Sequence, residues 1–291
     1  MAAHEPVLLA ETLELLAVRA GAFYVDGTVG QGGHSEAILR RSAPDGRLLA
    51  SDRDPEAVAA ATARLRPYGE RARVVHADYR ELPAHLGEER PHGILLDLGL
   101  SSAQLDDPER GFSFQADGPL DMRMDQTGGE TAAEVVNRLP EPELADLIYR
   151  FGEEPSSRRI ARAIVFARRT ARIRTTRELA EIVRRAAGRP RPGLHPATRT
   201  FQALRIRVNR ELQGLGEAVA ALARCLAPRG RLAVIAFHSL EDREVKQAFR
   251  GLETEGFRRL TKKPLRPTGE EVGHNPRARS ARLRGLEREA A

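Results

Sequence analysis

Cysteine is nearly missing from this chain: Cys225 is the one thiol in 291 residues. A lone cysteine forms no internal disulfide and builds no cysteine-based zinc cage. The eight histidines show no ligand-like spacing either, so no metal site is expected. No apolar run approaches the ~20 residues that a membrane helix needs. The opening stretch, MAAHEPVLLAETLELL, carries acids inside its apolar run and no basic leader, so no signal peptide is expected. These absences point to a cytoplasmic protein with no membrane partner. Internal repeats and low-complexity segments are lacking as well. Lysine is scarce, and the positive charge is nearly all arginine.

What is present suffices for a core. Hydrophobic residues make up 41% of the chain and charged residues 30%, and a length of 291 residues allows one large domain or two smaller ones. The net charge of +6 hides a strong asymmetry. Between Arg150 and Arg210 there are 17 arginines against 4 glutamates, which leaves the rest of the chain net acidic. An arginine codon bias explains the residue type but not the clustering, and clustered arginine is the electrostatic footprint of a polyanion.

The chain is organised around Phe23 to His34. Phe23, Tyr24 and Val25 form a short strand, Gly27, Gly30, Gly32 and Gly33 a bend, and the residues from Ser35 a helix. A helix over 33–41 precedes a strand over 47–52 that ends in Asp52. Asp54 caps a helix to about Leu65, with Pro55 at its first position. Strands follow at 73–76, ending near Tyr79, and at 93–99, carrying Asp97. This alternation is that of an α/β protein with a parallel sheet.

The pattern breaks after that. A long loop is expected over 101–125. Helices are expected over 131–139, 142–151, 158–169 and 176–187, the last capped by Thr176 and stopped by Gly188, and a loop over 193–200. The α/β pattern resumes with one long helix over 208–226, a strand over 231–237 and a helix over 242–249. An antiparallel hairpin over 256–260 and 281–286 closes the chain. The expected organisation is a Rossmann-like domain over 1–105 and 207–291, interrupted by a helical insertion over 106–206 that carries the arginines.

Asp52 lies about 20 residues after the glycine loop, the spacing at which an acid accepts hydrogen bonds from ribose hydroxyls. Tyr79 offers a flat ring for a base or for packing. Asp97, ending the central strand, is either a ligand contact or a catalytic group, because an idle buried charge is costly. A dinucleotide loop needs a glycine where Ser35 stands, and the acid Asp26 before the loop suits an ammonium better than a pyrophosphate. S-adenosyl-L-methionine (SAM) is favoured over a nicotinamide cofactor. A non-catalytic RNA-binding factor is the other class to weigh, and the intact loop and acids speak against it.

Several blocks resemble the RsmH (MraW) family: Asp26 to His34; Leu95 to Ser102 with Gln104 to Asp107; Arg110 to Phe114; Gly118 to Asp125; His195 to Arg205; Phe237 to Arg243; and Asn275 to Ser280. They follow the family's order along nearly the whole chain. The resemblance implies a class I SAM-dependent methyltransferase fold with an inserted helical domain. The implied reaction is methylation of N4 of one cytidine in the decoding (P-site) region of bacterial 16S rRNA, within the small ribosomal subunit. It places cofactor contacts on Gly32, Gly33, His34, Asp52, Tyr79, Asp97 and Gln104, with Asp97 also the candidate catalytic group. Tyr79 stands where Phe is common.

The target base has to leave its stack to be reached. Phe112 and Phe114 are candidates to stack on it, and His238 is a candidate base or a hydrogen-bonding support. Phosphate contacts are expected from Arg168, Arg169, Arg172, Arg174, Arg199, Arg205 and Arg207.

Overall fold

The computed structural model describes residues 6–188 and 195–290. The first residues of the opening stretch and the 193–194 part of the expected loop lie outside them. The chain forms two compact units, one from the segments up to Gly99 and from Gly214 onward, the other from Leu100 to Gln213. The helical unit therefore starts before the expected 106 and ends after the expected 206.

In the first unit, α1 (Leu9–Leu15), β1 (Phe23–Asp26), α2 (Gly33–Arg41), β2 (Arg47–Asp52), α3 (Pro55–Leu65), β3 (Ala72–His76), α4 (Leu82–Leu86) and β4 (Gly93–Asp97) follow in turn. The helical unit contributes α5 (Ser102–Asp106), α6 (Ala132–Arg138), α7 (Glu141–Gly152), α8 (Ser157–Arg168), α9 (Thr176–Ala186) and α10 (Thr198–Asn209). The first unit is completed by α11 (Leu215–Cys225), β5 (Arg231–Ala236), α12 (Ser239–Leu252), β6 (Phe257–Arg259), α13 (Gly269–His274) and β7 (Arg282–Arg288).

The seven strands lie in the order β3-β2-β1-β4-β5-β7-β6. β1 to β5 run parallel, and β7 runs antiparallel to both neighbours. β1 and β4 are near-continuous apolar runs because helices cover both faces of the sheet. Leu8, which caps α1, with Ile38 and Leu39 of α2 and Leu65 of α3, packs on one face with Tyr24, Leu48, Leu95 and Ile235. Side chains alternate along a strand, so Ile94 and Leu96 point to the other face. α4, α11 and α12 pack together there, with α11 and α12 also against β5.

The helical unit has its own core, built from Leu120, Met122, Val135, Leu144, Ile148, Ile160, Ile164, Leu179, Val183 and Leu204. Three helix starts carry reciprocal capping boxes, Ser101 with Gln104, Thr131 with Glu134 and Thr175 with Glu178. The cap of α9 is thus Thr175, not Thr176, because only Thr175 keeps extended backbone angles.

Two further expectations are corrected. The stretch 101–125 is not all loop, since Ser101 nucleates α5. The long helix over 208–226 is two helices. Arg210 closes α10 in the left-handed region at φ 51°, and Gly214 opens α11 at φ 69°. α10 also takes in the end of the expected loop, starting at Thr198.

Candidate functional site

The strand order reverses between β1 and β4, the place where open parallel sheets bind ligands at their carboxyl edge. Asp26 ends β1, Asp97 ends β4 and Asp52 ends β2, so three carboxylates share this edge.

The glycine loop is fastened to all of them. Gly27 N–H donates to the Leu95 carbonyl and Val29 N–H to the Ser51 carbonyl, each at 2.9 Å. A Cβ on Gly27 would come within 2.6 Å of Leu96 Cδ2 and 3.0 Å of Tyr79 Cβ, so a side chain there would force the packing under the loop to shift. Gly32 caps α2 at φ 78°, a backbone state in which glycine carries no steric penalty. Gly33 is the first residue of α2.

Asp26 is fully buried. Its Oδ1 accepts from Thr28 N–H at 3.1 Å and its Oδ2 from the Ser35 hydroxyl at 2.6 Å. Burial raises its pKa to about 6, against the lowering by those two bonds. The serine that breaks the dinucleotide pattern is therefore the hydroxyl that holds Asp26. The acid expected to meet a ligand ammonium instead ties the loop together.

Asp52 Oδ2 accepts from Gly30 N–H at 2.9 Å, and Oδ1 from Asp54 N–H at 3.0 Å. Burial raises its pKa, and the two amides lower it. Each carboxylate oxygen has a second lone pair, so room for further donors remains.

Asp97 is the most perturbed of the three. Its pKa stands well above the ordinary value because of burial first, then repulsion from Asp26 and Glu241. Its backbone N–H donates to Thr28 Oγ1 at 2.6 Å. Its Oδ2 lies 3.6 Å from His34 Nδ1, while its Oδ1 is buried without a hydrogen-bond partner among the described residues. His34 Nε2 meets the Val7 carbonyl at 3.0 Å. A carbonyl only accepts, so Nε2 carries the hydrogen and Nδ1 faces Asp97.

Tyr79 is buried under the loop, and its Cβ would sit 3.0 Å from a Cβ on Gly27. The Arg80 guanidinium covers its ring, 4.6 Å from the centroid. Burial raises the phenol pKa. His238 is the N-cap of α12: its Nδ1 accepts from Glu241 N–H at 3.3 Å, while Glu241 Oε2 accepts from Phe237 N–H at 2.9 Å. Its ring is thus engaged as a support at the end of β5. This cap starts α12 at Ser239 and not at the expected 242, and histidine is not among the residues that ordinarily announce a helix start.

Sequence reasoning missed Thr28 and Glu241. Thr28 lies within the quoted loop block, but only the fold shows its hydroxyl under Asp97. Glu241 is buried beside the acids.

In the helical unit, Gln104 is buried and closes the α5 capping box, its Oε1 accepting from Ser101 N–H at 2.9 Å. Phe112 is buried, and Phe114 packs on Phe201 and His195 at centroid distances of 4.9 and 4.5 Å. Asn209 staples the Gly118 to Asp125 block, donating to the Met122 carbonyl at 2.7 Å and accepting from Met124 N–H at 2.8 Å.

Four of the seven candidate phosphate-binding arginines are engaged within the unit. Arg168 donates to the Val136 carbonyl, Arg199 to the Glu153 carbonyl, Arg205 pairs with Glu211, and Arg207 with Glu130. Arg169, Arg172 and Arg174 are exposed.

A sheet with one antiparallel strand next to its end, a glycine loop at the reversal of strand order and acids along that edge define a class I SAM-dependent methyltransferase. The description of the MraW methylase family matches residues 1–289, and the chain belongs to that family. The ribosomal RNA small subunit methyltransferase H of Thermomicrobium roseum is 52% identical, over 98% of this chain and 93% of its own length. The protein of the same name from Syntrophobacter fumaroxidans is 51% identical, over 98% and 96%. Among solved structures, an rRNA methylase from Streptococcus thermophilus aligns over 99% of both chains at 12% identity and TM-score 0.43. A likeness that distant carries no further reading. Among the described residues no helix is long and apolar enough to cross a membrane.

Proposed function

We propose that this chain methylates N4 of a cytidine in the decoding (P-site) region of bacterial 16S rRNA, acting in the cytoplasm on the small ribosomal subunit or its RNA. The observation that carries the cofactor side is the charge of the cleft edge. Asp52 is held by two amides, Asp97 lies beside an imidazole, and neither is ion-paired with an arginine among the described residues. Such an edge suits a cationic ligand and disfavours a pyrophosphate. SAM, when bound, supplies an electrophilic methyl group on a sulfonium and leaves as S-adenosyl-L-homocysteine.

Gly32, Gly33 and His34 would line the cofactor, Asp52 would accept its ribose hydroxyls, and Tyr79 would border its base. Gln104 joins this set through the family resemblance alone. The rRNA substrate is supported by the names of the relatives, the cytidine N4 by the sequence blocks.

Cytosine N4 is conjugated with its ring and weakly nucleophilic. Positioning for in-line transfer carries most of the rate. As the new C–N bond forms, N4 gains positive charge and a proton has to leave. Asp97 Oδ1, buried and without a partner among the described residues, is the acceptor that we assign. The carboxyl ionises when a cation lies against it, and takes a proton readily once that cation has gone. Thr28 fixes the Asp97 backbone through its N–H, and the His34 ring lies against the carboxyl. The base is reached flipped out of its stack, and the arginines of the helical unit position the RNA through phosphates.

The test is incubation with methyl-labelled SAM and small-subunit particles or 16S rRNA, then digestion to nucleosides. Label in N4-methylcytidine is expected, with Asp97→Asn slower by about 100-fold or more. Label on the ring C5 or a ribose oxygen overturns the N4 assignment.

A further inference from the structure

We propose that the outward face of α8 takes up an unpaired stretch of RNA, with Phe166 stacking on a base and Arg158, Arg162 and Arg169 neutralising its phosphates. This rests on the rRNA reading above and adds which surface of the helical unit meets the RNA, and in what form.

The stripe follows from helical geometry. Arg158, Arg162 and Phe166 stand at four-residue intervals and Arg169 three further on, so they share one side of the helix over ~16 Å. Ile160, Ala161 and Ile164 face the other way, fully buried in the core of the unit. The core of α8 is thus satisfied without Phe166, which is 72% exposed. Only Tyr149, on α7, and Leu265 are comparably placed large apolar residues among the described ones.

A lone exposed phenylalanine is ordinary. One set between arginines on a helix, in the most basic part of the chain, is the combination that single-stranded nucleic acid requires. An aromatic face stacks on any base, and the cations follow the backbone. Arg158 and Arg169 are exposed, and Arg162 touches only the rim of the unit, 3.5 Å from Glu141 and itself 77% exposed. By contrast Arg168, one residue before Arg169, turns inward to the Val136 carbonyl. A duplex offers phosphates but no open base face, so the aromatic favours unpaired nucleotides.

The experiment uses the full chain, with protein-free 16S rRNA fragments in single-stranded and duplex form. Phe166→Ala is expected to weaken single-strand binding about 5- to 100-fold, the range for loss of one stacked base. Phe166→Tyr keeps the affinity and Phe166→Leu does not. KM for RNA rises in the alanine variant, while kcat, SAM affinity and the thermal unfolding curve stay as in wild type. Arg162→Gln and Arg169→Gln each flatten the salt dependence by about one phosphate contact.

Unchanged binding by Phe166→Ala overturns the proposal, as does a Phe166→Leu variant equal to wild type. A defect seen with assembled particles but not with protein-free RNA points to a protein partner and overturns it too. In each case wild-type methylation of rRNA would leave the functional reading standing. Absence of that methylation would remove the functional reading itself.

Discussion

Asp52 and Gly30, 22 residues apart in the chain, meet through a 2.9 Å hydrogen bond from the glycine amide to the carboxylate Oδ2. One acid at the end of β2 thereby sets the shape of the glycine loop that follows β1. It is also the group that we assign to the ribose. Removing it releases the loop and leaves two amides, of Gly30 and Asp54, without their acceptor.

Asp52→Ala is therefore expected to weaken SAM binding by about 100-fold or more, since a hydrogen bond to a charged group contributes about 1.5–3 kcal/mol and more than one is lost. Calorimetric titration measures it. An unchanged affinity would remove the ribose assignment.

Asp26 gives a pH dependence whose sign is fixed by burial. Its folded pKa is raised from 3.8 to about 6. Its stabilising contribution is complete below its unfolded pKa and is lost as pH rises through about 6. A displacement of about two pH units corresponds to roughly 3 kcal/mol. Asp26→Asn lacks this titration. Urea unfolding at pH 4 and pH 8 is expected to show the variant gaining on wild type by up to about 3 kcal/mol between the two. Parallel stability curves would contradict the burial argument.

Arg205 separates a structural arginine from an RNA-binding one. Its Nε and terminal nitrogen both meet the Glu211 carboxylate, at 2.8–3.1 Å, with both side chains largely buried. Breaking such a pair from one side costs about 3 kcal/mol. Arg205→Gln is expected to lower the unfolding midpoint while leaving the RNA affinity of the folded protein within about threefold. Intact stability with weakened RNA binding would return Arg205 to the phosphate contacts.

Much of the sheet unit was legible because its signals are local. β2 and α2 fall where the apolar run and the glycine loop put them, and Asp54 and Pro55 announce α3 in two residues. The closing antiparallel hairpin was also visible as two short runs. What escaped depends on partners far along the chain. Nothing in the residues 208–226 marks Arg210 as left-handed, because the apolar period runs on past it. α4 is too short to show a period.

The site was legible in its acids but not in their neighbours. Glycine spacing and strand ends pick out Asp52 and Asp97, whereas Thr28 reaches Asp97 across 69 residues. The arginines divide the same way. Composition shows the cluster, and only burial tells Arg168 and Arg205 from Arg162 and Arg169. Phe166 drew no notice in the sequence because an apolar residue on a helix is expected to face inward.

β7 lies between β5 and β6 although it follows both in the chain. During synthesis β5 therefore presents an open edge, and β6 has nothing to pair with, until β7 has emerged from the ribosome. The helical unit, contained within Leu100–Gln213, is finished long before that. Translation itself thus sets an order: the surface that we assign to RNA can form while the methyl-transferring sheet still lacks its penultimate strand. A chain halted before Arg282 would carry the first and not the second.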